Sequence, residues 1–131
     1  DGAIDGLAVA AKLGQNPNEV YKTLVTQGAG GCYVFVIPVG AELDLKKAAR
    51  TVGKKSIAML HMADLLKTTG YVRGGCSPLG MKKQFPTVID ASAKALAVLF
   101  VSGGKIGAQI ELAPADLAKA TGAQLAAVTT E

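Results

Sequence analysis

Two glycine-rich polar loops and one lysine are the residues of this chain with the most to offer a ligand. The first loop is Gly74-Gly75-Cys76-Ser77-Pro78-Leu79-Gly80 and the second is Ser102-Gly103-Gly104-Lys105-Ile106-Gly107. Glycine carries no Cβ, so a backbone built of it can approach a ligand closely. Pro78 fixes one φ while the glycines around it permit the turns. The result is a shaped loop that can offer N–H groups to a carbonyl or phosphate oxygen. The same composition also serves as an ordinary tight connection. Lys22 lies in Val20-Tyr21-Lys22-Thr23-Leu24-Val25. Alternation there puts Lys22 and Leu24 on one strand face, with Tyr21 and Thr23 on the other. A lysine in so apolar a strand is either an edge residue that discourages aggregation or a mobile cation aimed into a cleft, where it suits phosphate.

Other chemistry has little to work with. His61 is the single histidine and stands among Met59, Leu60 and Met62, which reads as a structural or surface position rather than a triad base. No His/Cys/Asp group has ligand spacing, so no metal is expected. The ten acids are scattered and leave no obvious carboxylate pair. Neither glycine loop matches a P-loop, and neither joins a strand to a helix as a dinucleotide fingerprint requires, so no cofactor is expected. Cys32 falls in an apolar run and reads as a small core residue. Cys76 sits in the first glycine loop, where it can be exposed, yet it lacks a base to activate it. Two free thiols fit a reducing cytoplasm, the expected compartment.

The formal net charge is +4. Lys46, Lys47, Arg50, Lys54 and Lys55 fall within ten residues that hold no acid, and Arg73, Lys82 and Lys83 flank the first glycine loop. Cations gathered beside a glycine loop suit a polyanion such as nucleic acid. The 46–55 group, taken alone, reads rather as a solvated helix face.

The elements that must position these residues are legible in outline. At 131 residues, half of them hydrophobic, the chain suits one domain, 1–131, with a single core and no staples. No apolar run approaches the roughly 18 residues of a membrane span. No secretory signal is visible, and the start at Asp1 rather than Met leaves room for a preceding segment. Helical stripes are expected at Ile4, Leu7, Ala8 and Ala11 before Gly14; at Leu45, Ala48, Ala49 and Val52 between an Asp44 cap and Gly53; at Met62, Leu65, Leu66 and Thr69 before Gly70; and from Pro114 through Leu117 and Ala118 to Gly122. Strands are expected at 20–26 and 32–38, joined across Gln27-Gly28-Ala29-Gly30-Gly31, and at 56–59, 85–90, 96–101, 108–112 and 123–128. The second glycine loop then tips a hairpin. Strands in hairpins with helices inserted imply an α/β or α+β fold with a mixed, largely antiparallel sheet or partly closed barrel.

Taken in order, Val20-Tyr21-Lys22-Thr23-Leu24, Thr69-Gly70-Tyr71-Val72-Arg73-Gly74-Gly75-Cys76-Ser77-Pro78-Leu79-Gly80, Val101-Ser102-Gly103-Gly104-Lys105 and Ile110-Glu111-Leu112-Ala113-Pro114-Ala115-Asp116-Leu117 resemble the YbaK family. Its members are free-standing trans-editing aminoacyl-tRNA deacylases, related to the editing domain inserted in bacterial prolyl-tRNA synthetases. The likeness is greatest to the Cys-tRNA(Pro) deacylase branch. It implies release of the amino acid from mischarged tRNA(Pro), relieving the limit that pocket shape sets on discrimination. Lys22 falls on the family's functional lysine, with Thr23 beside it in the substrate site. Gly74, Gly75, Ser77, Pro78 and Gly80 would surround the amino acid and the ester carbonyl, and Ser102, Gly103 and Gly104 would complete the pocket. Lys46, Lys47, Arg50, Lys54 and Lys55 become candidate tRNA backbone contacts. Prolyl-tRNA synthetase is a second candidate partner. In this branch the substrate's own cysteine thiol attacks its ester and leaves as a cyclic product, so the protein supplies positioning and oxyanion stabilisation. The sequence departs from the family twice: it begins near the first helix, without the strand segment that normally precedes it, and it has Gln109 where some members have an acid. Alternatives are a deacylase for Ala-tRNA(Pro), a non-catalytic binder of tRNA 3′ ends or of the synthetase, and a plain α/β domain whose glycines are only turns.

Overall fold

The computed structural model describes residues 17–72, 75–105 and 107–130. The helix expected from Ile4 to Gly14, and Arg73, Gly74 and Ile106, lie outside the described residues.

After a 3₁₀ turn at Pro17–Glu19 come strands β1 (Tyr21–Gly28) and β2 (Gly31–Pro38), helix α1 (Leu45–Thr51), β3 (Ala58–Met59), helix α2 (Met62–Thr69) and β4 (Thr87–Asp90). A 3₁₀ segment at Ala91–Ala95 leads to β5 (Leu99–Ser102), β6 (Gln109–Leu112), helix α3 (Pro114–Thr121) and β7 (Gln124–Ala126). Five strands form one sheet in the order β3-β1-β2-β4-β7, and β5 and β6 form a separate hairpin. Pairings β1–β2, β1–β3 and β5–β6 are antiparallel, while β2–β4 and β4–β7 are parallel. The mixed α/β fold read from the sequence is therefore observed. Among the described residues no helix is long and apolar enough to cross a membrane.

The first hairpin closes more tightly than the sequence suggested. Gln27 and Gly28 extend β1 and pair with Cys32 and Gly31, which leaves Ala29-Gly30 as the whole connection. Gly30 sits at φ +89°, a region open to glycine.

β1 and β2 bury both faces, which is why β2 reads as an unbroken apolar run rather than an alternating one. On one face Tyr33, Phe35, Ile37 and Val88 pack against Ala48 and Ala49 of α1, with Ile57 and Val128. On the other, Tyr21, Val36 and Ile89 pack against Leu99, Val101 and Leu117. α1 starts where the Asp44 carboxylate accepts from the N–H groups of Lys46 and Lys47 at 2.9 and 3.1 Å. The Lys47 bond chiefly holds that carboxyl below its ordinary pKa. Asp90 is buried, accepting from Val128 N at 3.0 Å and Ser92 N at 3.1 Å, and so ties the strand ends of β4 and β7 together. α2 turns only part of its expected stripe inward. Leu65 joins the core and Thr69 is buried, but Met62 and Leu66 are 61% and 55% exposed.

Candidate active site

Lys22 and Thr23 lie on β1, and the described residues of both glycine loops lie near its outer edge. That edge is covered at both ends and open between them. At one end Thr26 and Gln27 pair with Met59 and Ala58 of β3, and Val25 O accepts from Leu60 N at 3.0 Å. At the other, Val20 forms a parallel bridge with Phe100, and β1 and β5 stay in contact. Between these two seams, Lys22 to Leu24 have no strand on their outer side among the described residues.

Thr23 is the polar feature of this gap. Backbone groups of an antiparallel strand point to alternate edges. Val25 O faces outward to Leu60, so Thr23, two residues earlier, turns its own N–H and C=O to the open edge. Its side chain shares a face with Tyr21 and Val25. The Thr23 Oγ1 atom is buried and has no hydrogen-bond partner among the described residues. Buried polar atoms in folded proteins are nearly always satisfied, so an orphan beside an open strand edge is a place for a ligand's polar group. Lys22 is half-buried on the opposite face, the side of Leu24 and Thr26. Its long stem must therefore reach round the strand edge to serve the same ligand.

The first glycine loop covers the Thr23 face. Cys76 packs on Val25 and Val34, while Leu79 packs in the cluster of Tyr21 and Val36, so the loop runs along β1 past Thr23. Gly75, Cys76, Ser77 and Pro78 are all buried. The neck is closed by Lys82 N donating to Thr69 O at 3.0 Å, and Gly75 N donates to Val72 O at 3.0 Å. The two loops share a device. Ser77 Oγ accepts from Leu79 N and Ser102 Oγ accepts from Gly104 N, each at 3.2 Å, so each serine tightens its own turn. Gly103 N donates to Ala108 O at 2.7 Å and fixes the base of the second loop.

Cys76 departs from the expectation of an exposed loop thiol. It is only 9% exposed, because the loop folds under itself onto β1 and β2. Burial pushes its thiol up to about 11, with a hydrogen bond to Thr69 opposing the shift. It is therefore protonated at neutral pH and unsuited to nucleophilic attack. Cys32 is half-buried in the same cluster.

The basic group is not part of the gap. α1 packs on the sheet face away from the glycine loop, through Ala48 and Ala49. Lys46, Arg50 and Lys55 are exposed and Lys54 is half-exposed, but Lys47 Nζ donates to Thr129 O at 3.0 Å and so ties down the end of the chain. Beside the first loop, Lys82 lays its stem over Gly70, and Lys83 Nζ stands 5.9 Å from the Phe85 ring centroid.

One residue that sequence reasoning passed over joins the two loops. The Tyr71 hydroxyl donates to Leu79 O at 2.6 Å, and its ring lies against Gly104. The available signal was an aromatic side chain directly after Gly70 and three residues before Gly74-Gly75, in a chain with few aromatics.

Comparison with known proteins finds relatives over most of the chain. The model of a family described as the aminoacyl-tRNA editing domain matches residues 5–120. A protein of Enterococcus faecalis, provisionally named Cys-tRNA(Pro)/Cys-tRNA(Cys) deacylase EbsC, is 51% identical over 125 residues, covering 95% of this chain and 76% of its own. A crystal structure described as a provisionally assigned trans-editing enzyme for prolyl-tRNA synthetase superposes with a TM-score of 0.89 at 26% identity, over 100% of this chain and 83% of the other. Another, described only as a hypothetical protein, has a TM-score of 0.89 at 27% identity over 99% and 87% of the two chains.

Proposed function

This chain belongs to the family of aminoacyl-tRNA editing domains, and on that premise we propose that it is a trans-acting deacylase that clears cysteine from Cys-tRNA(Pro). The reading rests above all on the open edge of β1, where a buried hydroxyl without a partner among the described residues lies at the break between two strand seams. The single domain of residues 1–131 acts in the cytoplasm, on tRNA charged by prolyl-tRNA synthetase, the candidate partner.

In this reading the aminoacyl ester lies along the gap. Lys22 holds phosphate or ribose oxygens of the terminal adenosine. Thr23, Gly74, Gly75, Ser77, Pro78 and Gly80 surround the amino acid and the ester carbonyl, and Ser102, Gly103 and Gly104 close the far side. The thiol sulfur of the substrate attacks its own ester carbonyl carbon and the carbon–oxygen bond to the ribose breaks. The thiol proton passes to the departing ribose oxygen, leaving tRNA and a four-membered thiolactone that water opens. The protein need not supply a nucleophile. It fixes the ester and offers N–H groups to the developing oxyanion, contributions worth several kcal/mol of a barrier in comparable sites. The buried, protonated Cys76 suits this division of labour.

The test is release of amino acid from tRNA(Pro) charged with cysteine, alanine or serine. Fast release from the cysteinyl ester supports the reading. Alanyl release at the same or a greater rate turns it to the Ala-tRNA(Pro) alternative, and protection without release turns it to a binding module.

A further inference from the structure

We propose that Tyr71 is a positioning residue that braces the two glycine loops at one fixed separation and so sets the geometry of the ester site; the proposal rests on the deacylase reading above. Tyr71 lies between α2 and the first loop, and its backbone is held from the helix side. Thr69 Oγ1 donates to Leu65 O at 2.8 Å and accepts from Tyr71 N at 3.0 Å. Thr69 itself is buried in the last turn of α2. From that anchor the side chain reaches both loops. Its hydroxyl donates to Leu79 O at 2.6 Å in the first. A Cβ built on Gly104 in the second would stand 3.0 Å from the ring carbon Cε1, and one on Gly80 would stand 3.0 Å from the hydroxyl oxygen. Both glycines also hold positive φ, at +104° and +68°. Tyr71 thus fills the space that a side chain would need at one point on each loop, where the backbone conformation already favours glycine. The loops share no strand ladder, so beyond the apolar cluster that Leu79 joins, the contact made to both by this one side chain couples their positions.

A brace of this kind acts on the reacting geometry rather than on tRNA affinity, because displacing one side of a site from the other degrades alignment before it degrades binding. The experiment compares wild type, Tyr71→Phe, Gly104→Ala and the double variant. Deacylation of Cys-tRNA(Pro) is measured together with amide hydrogen exchange at Gly104 and Lys105. Tyr71→Phe keeps the ring and loses one short hydrogen bond, so kcat is expected to fall roughly tenfold with KM within about twofold. Exchange in the second loop should quicken although the removed hydroxyl bonds only the first. The double variant should lose less than the product of the single losses, since both perturb the one side chain that touches both loops. Unchanged kcat and unchanged exchange in folded Tyr71→Phe would overturn the brace, as would multiplicative losses in the double variant. If wild type releases no amino acid from any charged tRNA, the deacylase reading fails, and the exchange measurement still decides whether Tyr71 couples the loops.

Discussion

Thr23→Val separates a hydroxyl kept for a ligand from one kept for the fold. Valine has the shape of threonine with a methyl in place of the hydroxyl, so packing beside Tyr21 and Val25 is preserved. The Oγ1 atom is buried without a partner among the described residues, and such an atom costs about 1–3 kcal/mol of desolvation. Removing it should therefore stabilise the protein by about 1–2 kcal/mol. For a chain of 131 residues that raises the melting temperature by roughly 3–8 °C. The same change should slow deacylation of Cys-tRNA(Pro) about 10- to 100-fold, the loss of a hydrogen bond worth about 1.5–3 kcal/mol to a charged or strongly polarised group. Thr23→Ser keeps the hydroxyl and should keep most of the activity. The two readouts are a thermal or denaturant unfolding curve and a single-turnover deacylation rate. A Thr23→Val protein that is less stable by about 1 kcal/mol or more would show that the hydroxyl has a partner in the fold. One that is stabilised but fully active would show that the orphan atom serves no substrate.

Lys22→Ala removes a half-buried cation from a strand whose pairing does not depend on it, so stability should change by no more than about 0.5–1 kcal/mol while deacylation is lost; an unchanged rate would remove Lys22 from the site. Cys76→Ala should leave deacylation within about threefold, and a collapse of activity in a folded variant would reinstate the thiol as a participant. Its thiol is raised from 9.0 to about 11, so the folded state favours the protonated form. That stabilisation is fully present below pH 9 and is lost as pH climbs through about 11. It amounts to about 2–3 kcal/mol, and Cys76→Ala should flatten the alkaline decline in unfolding free energy by that order, as denaturant titrations from pH 8 to 11 can measure. Neutralising Lys46, Arg50, Lys54 and Lys55 together should lower the slope of log binding constant against log salt by about 0.7–0.9 for each tRNA phosphate that one of them neutralises. An unchanged slope would make them a solvated face.

Much of this fold is written in local signals. Asp44 and Gly53 bracket α1 as capping chemistry requires, and Pro114 and Gly122 bracket α3 in the same way. β2 announces itself by its unbroken apolar run. The parallel pairing of β4 with β2 and β7 leaves no such trace, because it depends on which strands meet across α2 and α3. The site is divided likewise. Lys22, Ser77-Pro78 and Ser102-Gly103-Gly104 stand out by residue type. The open stretch of β1 between its β3 and β5 seams, the burial of Cys76 and the double contact of Tyr71 arise only when separated segments are folded together. Lys47 illustrates the same limit: its charge reads as one of a basic cluster, while its ammonium is spent on Thr129 O.

Release of amino acid from tRNA(Pro) charged in parallel with cysteine, alanine and serine decides whether the substrate's thiol does the chemistry. Cysteine should be liberated fast, as its thiolactone or the free acid, with serine and alanine esters slower by at least an order of magnitude, because only the cysteinyl ester carries a thiol nucleophile of its own. Equal rates on all three esters would contradict substrate-thiol chemistry, and charged tRNA that survives intact with the protein in excess would contradict the deacylase itself.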